Sequence, residues 1–278
     1  MPRPFSLLDY YLTSIEVGLK SMPGGYRKEA AARILNPLSY PRYMEFQLAL
    51  KPLLPVNGRR VLDIGSPKLP VLLLAKHARS CELYATDIRD YFIAPTAHFP
   101  TKIGKADRLG KDIHLCVQDA RHLTYDDEFF DRIFSISVLE HIPDSGDSQA
   151  VREIARVLRP GGTGTLTVPY SHAGYREEFV SGPVYERREA GRTFYQRHYD
   201  RQALQQRLLD PSGLRVLDMT FFGEPGFQVE PWWNQIPMRW KVPLLWAQPF
   251  AAKVFLKQLA PPQLHAAAGV AVRLRKDT

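Results

Sequence analysis

The sequence predicts an α/β fold built on a mostly parallel sheet, and three observations carry that prediction. The run Arg60-Val61-Leu62-Asp63-Ile64-Gly65 reads as a buried strand ending in a tight turn. Two later runs, Tyr84-Ala85-Thr86-Asp87 and Leu115-Cys116-Val117-Gln118-Asp119, are again apolar and again finish on a carboxylate. Further on, Val151, Ile154, Ala155 and Leu158 recur at helical spacing before a new apolar strand at 163–168. In an open α/β sheet a ligand lies beyond the carboxyl ends of the strands, where the strand order reverses. Carboxylates at that place accept hydrogen bonds from hydroxyl and amino groups, so the pocket suits a nucleoside better than a bare phosphate.

A chain of 278 residues is long enough for one large domain with a full core, or for a domain with sizeable additions. The net charge of +8 points to an anionic partner, whether nucleic acid, an acidic substrate or an anionic membrane surface. Only two cysteines occur, Cys81 and Cys116, both in or beside apolar runs, as expected for reduced thiols in a reducing compartment. The N-terminus lacks a basic segment followed by an apolar core, and no apolar run is long enough to span a bilayer. A cytoplasmic location is therefore expected. No metal-ligand cluster or internal repeat stands out, so no metal is expected.

Before the first strand, Phe5, Leu8, Leu12, Ile15 and Leu19 predict a helix that Pro23-Gly24-Gly25 ends. A second helix is predicted over 26–35 and a third over 42–54, the latter from Tyr43, Phe46, Leu50 and Leu54. After the strand at 60–64 and the turn at Gly65, a helix is predicted over 68–78, with Pro67 acceptable in its first turn. Lys68 is expected to be solvated. Residues 88–112 carry Pro95, Pro100, Gly104 and Gly110 and read as a loop with a short helix.

A third strand is predicted at 113–118, and a fourth comes from Phe129-Phe130-Asp131-Arg132-Ile133-Phe134-Ser135-Ile136-Ser137. The amphipathic helix with Val151 and Ile154 stops at Pro160-Gly161-Gly162, and the strand at 163–168 leads into Pro169-Tyr170-Ser171-His172. Residues 173–199 read as a polar, aromatic loop, and Asp200 is placed to cap the helix after it. Two final strands, at 214–222 and 268–274, complete the set.

Taken together, Val61-Leu62-Asp63-Ile64-Gly65, Asp87, Asp119-Ala120, Phe130-Asp131-Arg132-Ile133, Leu139-Glu140-His141-Ile142 and Arg156-Val157-Leu158-Arg159-Pro160-Gly161-Gly162 resemble a class I S-adenosylmethionine-dependent methyltransferase of the type 11-like domain. The resemblance covers roughly residues 58–170, in family order and spacing. It implies a Rossmann-like seven-stranded mostly parallel sheet with helices on both faces, an N-terminal helical cap at 1–58 and a methyltransferase domain at 59–278. The cofactor it implies is S-adenosylmethionine, with Asp63, Gly65, Ser66, Asp87, Ile88, Asp119, Ala120 and Ser137 around it. Asp87 would hold the ribose hydroxyls and Asp119 the adenine amino group. The sequence departs from the family at the glycine-rich loop, where Gly65-Ser66-Pro67-Lys68-Leu69 keeps one glycine of three. Candidate catalytic or acceptor-contacting residues are His141, Tyr170, His172 and His198. The helices at 1–58 either cover the substrate pocket or only pack on the sheet.

In such a fold the last two strands form a hairpin with a short link, whereas here roughly 45 residues separate them, far beyond ordinary connections. This insertion, at about 224–266, contains all four tryptophans, Trp232, Trp233, Trp240 and Trp246, with Arg239 and Lys241 between them. A helix is predicted over 246–259, with Lys253 and Lys257 on one side. Tryptophan beside cationic side chains on apolar faces marks segments that lie in a membrane interface, here 230–260. A substrate lid or a dimer patch would need the same exposed aromatics.

The leading expectation is methyl transfer to a small, hydrophobic or lipid-like acceptor, by an enzyme peripheral to an anionic membrane. A non-catalytic cofactor-binding scaffold is the alternative that the altered loop supports. RNA methylation is the third, but the basic residues are spread along the chain with no RNA-binding module, so no specific nucleic acid is expected. A nicotinamide dehydrogenase is not expected, because Gly65 is not followed by the two further glycines of the dinucleotide fingerprint.

Overall fold

The computed structural model of the protein describes residues 4–78, 80–184 and 191–278. Three helices, α1 (Leu7–Ser21), α2 (Arg27–Leu35) and α3 (Tyr40–Leu50), precede strand β1 (Arg60–Ile64). There follow α4 (Leu69–His77), β2 (Glu82–Asp87), α5 (Ile93–Lys102), β3 (Ile113–Val117), β4 (Phe130–Ile136), α6 (Gly146–Val157) and β5 (Leu158–Pro169). The remainder comprises β6 (Arg176–Ser181), β7 (Arg192–His198), α7 (Arg201–Leu204), α8 (Asp210–Ser212) and β8 (Arg215–Gly223). Then come α9 (Val229–Gln235), α10 (Met238–Lys241), α11 (Gln248–Phe255), β9 (Lys257–Gln258) and β10 (Ala267–Arg275).

The main sheet has the order β3-β2-β1-β4-β5-β10-β8-β9. Strands β3 through β5 run parallel, while β10 is antiparallel to both neighbours, β5 and β8. The order reverses between β1 and β4, which opens a crevice at their carboxyl ends. One face of the sheet packs Ile133 and Leu166 against Val151, Ile154 and Val157 of α6 and Leu204 of α7. The other packs Val61, Phe134 and Ile136 against Leu73 and Leu74 of α4 and Phe46 and Leu50 of α3.

Helix α4 is buried along its whole length from Leu69 to Ala75, as its uniformly apolar sequence requires. Its outer side is covered by α1 and α5, through the cluster Val17, Leu72 and Phe99. Helix α1 in turn lies close on α2 at Gly18, where an added Cβ would stand 2.8 Å from the Ala30 carbonyl oxygen.

Several expectations are corrected. The segment 88–112 holds a ten-residue helix, α5, with Pro95 in its first turn, where proline costs no hydrogen bond, and Pro100 inside it. Helix α6 ends at Val157, so Leu158 belongs to β5, which runs through Pro160-Gly161-Gly162 instead of starting after it. Gly161 N–H donates to the Lys276 carbonyl (2.8 Å), and Lys276 N–H donates to that of Gly162 (3.1 Å), so the residue after β10 fastens these glycines to the sheet, with Gly161 in the left-handed region at φ +73°. The predicted helix over 246–259 is only α11, after which β9 pairs with β8 as an eighth strand. Lys257 therefore lies on a strand and shares no helical face with Lys253.

The polar segment at 173–199 is a β-hairpin, β6 paired with β7, although its middle, residues 185–190, lies outside the described residues. Arg197 of β7 is fully buried and binds the Ile142 carbonyl (2.7 Å) and Asp147 (3.1 Å). Arg207 and the Tyr199 hydroxyl meet the same carboxylate at 2.8 and 2.9 Å. This network ties the hairpin to the turn after β4. Removing one member of a buried ion network leaves charge uncompensated, so Arg197→Met should cost about 3 kcal/mol in urea unfolding. An unchanged midpoint would show that the network contributes nothing.

Candidate functional site

The crevice holds a pocket of about 470 Å³, lined from the ends of β1 (Ile64, Gly65), β2 (Thr86 to Arg89), β3 (Gln118 to Arg121) and β4 (Ser137, Val138). This is within the ordinary size range of small-molecule sites. Gly65 has φ +64°, and a Cβ there would meet Val138 Cγ1 at 2.8 Å. Only glycine satisfies both the left-handed backbone and the close approach.

The loop after Gly65 is built differently from its expected form. Asp63 is fully buried and lines no part of the pocket. Its carboxylate accepts from Ser66 N–H (3.2 Å) and from Lys68 Nζ (2.8 Å). Lys68 also donates to the Thr86 carbonyl (2.8 Å), lies 3.9 Å from Asp87 Oδ2, and sits 4.8 Å from the centre of the Phe92 ring. It is buried, contrary to the solvated position expected of it. Burial drives the Asp63 carboxyl upward in pKa, and the Lys68 ammonium opposes that drive. Ser66 is likewise buried behind the pocket, its Oγ accepting from Ile136 N–H at 2.9 Å.

Asp87, Ile88, Asp119 and Ala120 do line the pocket, with Gly65 and Ser137. Asp87 is mostly buried; desolvation raises its pKa, and Lys68 and the backbone N–H groups of Ile88 and Arg89 counter that. Ile88 lies at the rim, 57% exposed. Asp119 is gripped by Arg121, whose Nη2 is 2.6 Å and whose Nε is 3.0 Å from its oxygens. That hydrogen-bonded guanidinium holds the Asp119 carboxyl below the usual range.

Of the four candidate catalytic residues, only His141 reaches the pocket. Its Nδ1 lies 2.8 Å from the Tyr195 carbonyl, which fixes Nδ1 as the protonated nitrogen. Tyr170 is buried with its ring on Phe221 (4.7 Å), and His172 is exposed in the turn before β6. His198 lies on β7, 3.0 Å from Glu178 Oε1, and burial lowers its pKa.

Two acids that the sequence left without a role stand behind the β4 end of the pocket. Ser137 has φ +50° and donates its Oγ to Glu45 Oε1 of α3 (2.8 Å). A non-glycine residue in that region costs about 1–3 kcal/mol and is held by its surroundings. Glu45 also pairs with Arg42. Glu140 is 1% exposed, Oε1 is 3.8 Å from His141 Nε2, and Oε2 has no hydrogen-bond partner among the described residues. Burial, with Glu45 nearby, pushes its pKa up to about 8. The only signal in the sequence was an acid inside each of two apolar runs, Met44-Glu45-Phe46 and Leu139-Glu140-His141-Ile142.

A carboxyl raised in the folded state favours folding while protonated. Glu140 thus contributes stability that is full below its ordinary pKa and is lost as pH rises through about 8. Glu140→Gln keeps the neutral form at every pH. Its melting temperature should exceed that of the wild type by on the order of 5 °C near pH 9, with little difference near pH 5. Parallel melting profiles from pH 5 to 9 would contradict a buried neutral Glu140.

A methyltransferase domain model matches residues 62–166. Among curated proteins, the methyltransferase GfsG of Streptomyces halstedii is 37% identical over 38% of this chain and 36% of its own length. Sterol 24-C-methyltransferase erg6 of Schizosaccharomyces pombe is 27% identical over 49% of this chain and 33% of its own. The chain thus spans about a third of the length of these relatives. The crystal structure of Burkholderia thailandensis 1,6-didemethyltoxoflavin-N1-methyltransferase superposes over 100% of this chain and 94% of that one, with a TM-score of 0.51 at 16% identity, a likeness of fold. Strand order, crevice and sequence match agree: residues 62–166 are the core of a class I S-adenosylmethionine-dependent methyltransferase domain.

Proposed function

We propose that the protein transfers a methyl group from S-adenosylmethionine to a small hydrophobic acceptor, at the surface of an anionic membrane. The observation that carries the transfer is the convergence of Gly65, Asp87, Ile88, Asp119 and Ala120 on one pocket at the strand ends. Two carboxylates and a backbone held open by glycine form a donor set matched to ribose hydroxyls, an adenine amino group and a close-lying chain. Asp87 takes the ribose, Asp119 and Ala120 flank the base, and Gly65 lets the backbone approach the methionine part. When bound, S-adenosylmethionine supplies an electrophilic methyl on a sulfonium centre.

Holding the acceptor atom in line with that centre provides most of what the reaction needs, so no protein nucleophile is required. Ser137, Val138 and His141 form the wall beside it. The Tyr195 carbonyl fixes the His141 tautomer and ring plane, so the hairpin positions this side chain. Asp63 and Ser66, buried behind the pocket, act through Lys68 and the loop rather than on the ligand.

The acceptor class and the membrane rest on the insertion. Trp232, Met238, Trp240, Trp246 and Phe250 are all at least 45% exposed. Arg239 and Lys241 lie 5.9 Å from the Trp240 and Trp233 rings. Tyr11 of α1 meets Phe250 at 5.5 Å, and Leu8 and Leu12 of that helix are also exposed, so α1 extends the same surface. Among the described residues no helix is long and apolar enough to cross a membrane, so contact would be interfacial. The sterol named for one distant relative is an acceptor of the same hydrophobic kind.

Calorimetric titration of S-adenosylmethionine should give micromolar binding to the wild type. Asp87→Ala, with unchanged circular dichroism, should weaken it about tenfold or more, the loss of charge-assisted hydrogen bonds. Absence of binding to the folded wild type would overturn the transfer. In sedimentation with vesicles, the wild type should pellet with phosphatidylserine-rich membranes more than with neutral ones. Trp240→Ser/Trp246→Ser should abolish that difference, and equal pelleting of the two proteins would remove the membrane from the proposal.

A further inference from the structure

A second cavity, of about 320 Å³, lies between α3 and the insertion. Tyr40, Val229 and Gln248 form its buried floor, while Trp232 and Leu244, 50% and 43% exposed, form its rim. The Tyr40 N–H, the Tyr40 hydroxyl and the Gln248 amide oxygen of the floor are already engaged. Tyr40 N–H donates to Gln248 Oε1 at 3.0 Å, and the Tyr40 hydroxyl donates to the Glu224 carboxylate. A polar ligand seated there would lose its water without gaining those groups as partners, whereas a hydrocarbon loses nothing.

The volume equals roughly ten water-sized spaces, which suits one chain of on the order of ten methylenes. Cations stand beside the aromatic walls. Lys241 Nζ lies 5.9 Å from the ring of Trp233, itself a lining residue, and Arg239 lies over neighbouring Trp240. The cavity is separate from the donor pocket, and helix α3 connects their surroundings. Tyr40 and Pro41 of α3 line the cavity, and Glu45, about 7.5 Å further along the same helix, holds Ser137 of the donor pocket.

We propose that this cavity is a binding site for a fatty-acid-like ligand, a single hydrocarbon chain whose carboxylate lies toward Arg239 and Lys241. It does not depend on methyl transfer and is tested without the donor. All four tryptophans lie in the insertion, so Trp240→Phe/Trp246→Phe leaves the two cavity tryptophans as the only tryptophan emitters. Titrating 11-bromoundecanoate below its micellar concentration should quench that emission saturably, and bromine-free undecanoate should reverse the quenching. Leu244→Asp at the exposed rim, and Ala251→Phe, which fills the lining, should each raise the midpoint about tenfold or more in proteins with wild-type circular dichroism. The same chain with a trimethylammonium head should bind about tenfold more weakly. Quenching unchanged by both substitutions, or seen only when Trp240 and Trp246 are present, would overturn the site. Equal binding of the cationic-headed chain would overturn the assignment of the head.

Discussion

A buried ammonium holds the carboxyl ends of the first two strands together. Lys68 leaves the loop after Gly65 and turns back beneath it, joining the Asp63 carboxylate on β1 to the Thr86 carbonyl and Asp87 on β2. A fully buried carboxylate is costly alone, and removing one partner of such a pair costs several kcal/mol. The path of the loop, and with it the floor of the pocket at the strand ends, therefore depends on this contact. A glycine-rich loop reaches the same place through backbone freedom; here a lysine and two carboxylates do it through charge, while Gly65 alone keeps the left-handed turn.

The pocket wall is braced by contacts made behind it. On the β4 side, Ser137 is held in an uncommon backbone conformation and donates to Glu45 of α3, with neutral Glu140 close behind His141. On the outer side, the β6–β7 hairpin is fastened through Arg197 and Asp147 to the turn that carries Ile142 and Pro143 into the pocket wall. An N-terminal helix and a late hairpin thus converge on the same few residues after β4. That convergence braces the wall from two sides.

The insertion between β8 and β10 adds a different kind of surface. It packs on α3 through Val229, Ala252 and Leu256 against Tyr40 and Met44, yet leaves Trp232, Trp240 and Trp246 at least half exposed. Because α3 also carries Glu45, one helix stands between an apolar exterior and the pocket at the strand ends.

Much of the fold follows from local chemistry in the sequence. Strands that end in acids, a turn needing Gly65 and the amphipathic α6 face are set by backbone sterics and hydrophobic period, and all three are legible residue by residue. The strand-end acids Asp87 and Asp119, which line the pocket, were legible in the same way, while Ile88 and Ala120 were named from the family resemblance. What only the tertiary structure decided depends on distant partners. Lys68 is buried because β2 brings Thr86 and Asp87 to it. Glu45 and Ser137 meet although 92 residues apart. The 173–199 segment is a hairpin because Arg197 finds Asp147, and α11 ends early because Lys257 and Gln258 gain strand partners on β8. Charge pairs, buried acids and edge-strand pairing are contacts across the chain, and neither periodicity nor propensity encodes them.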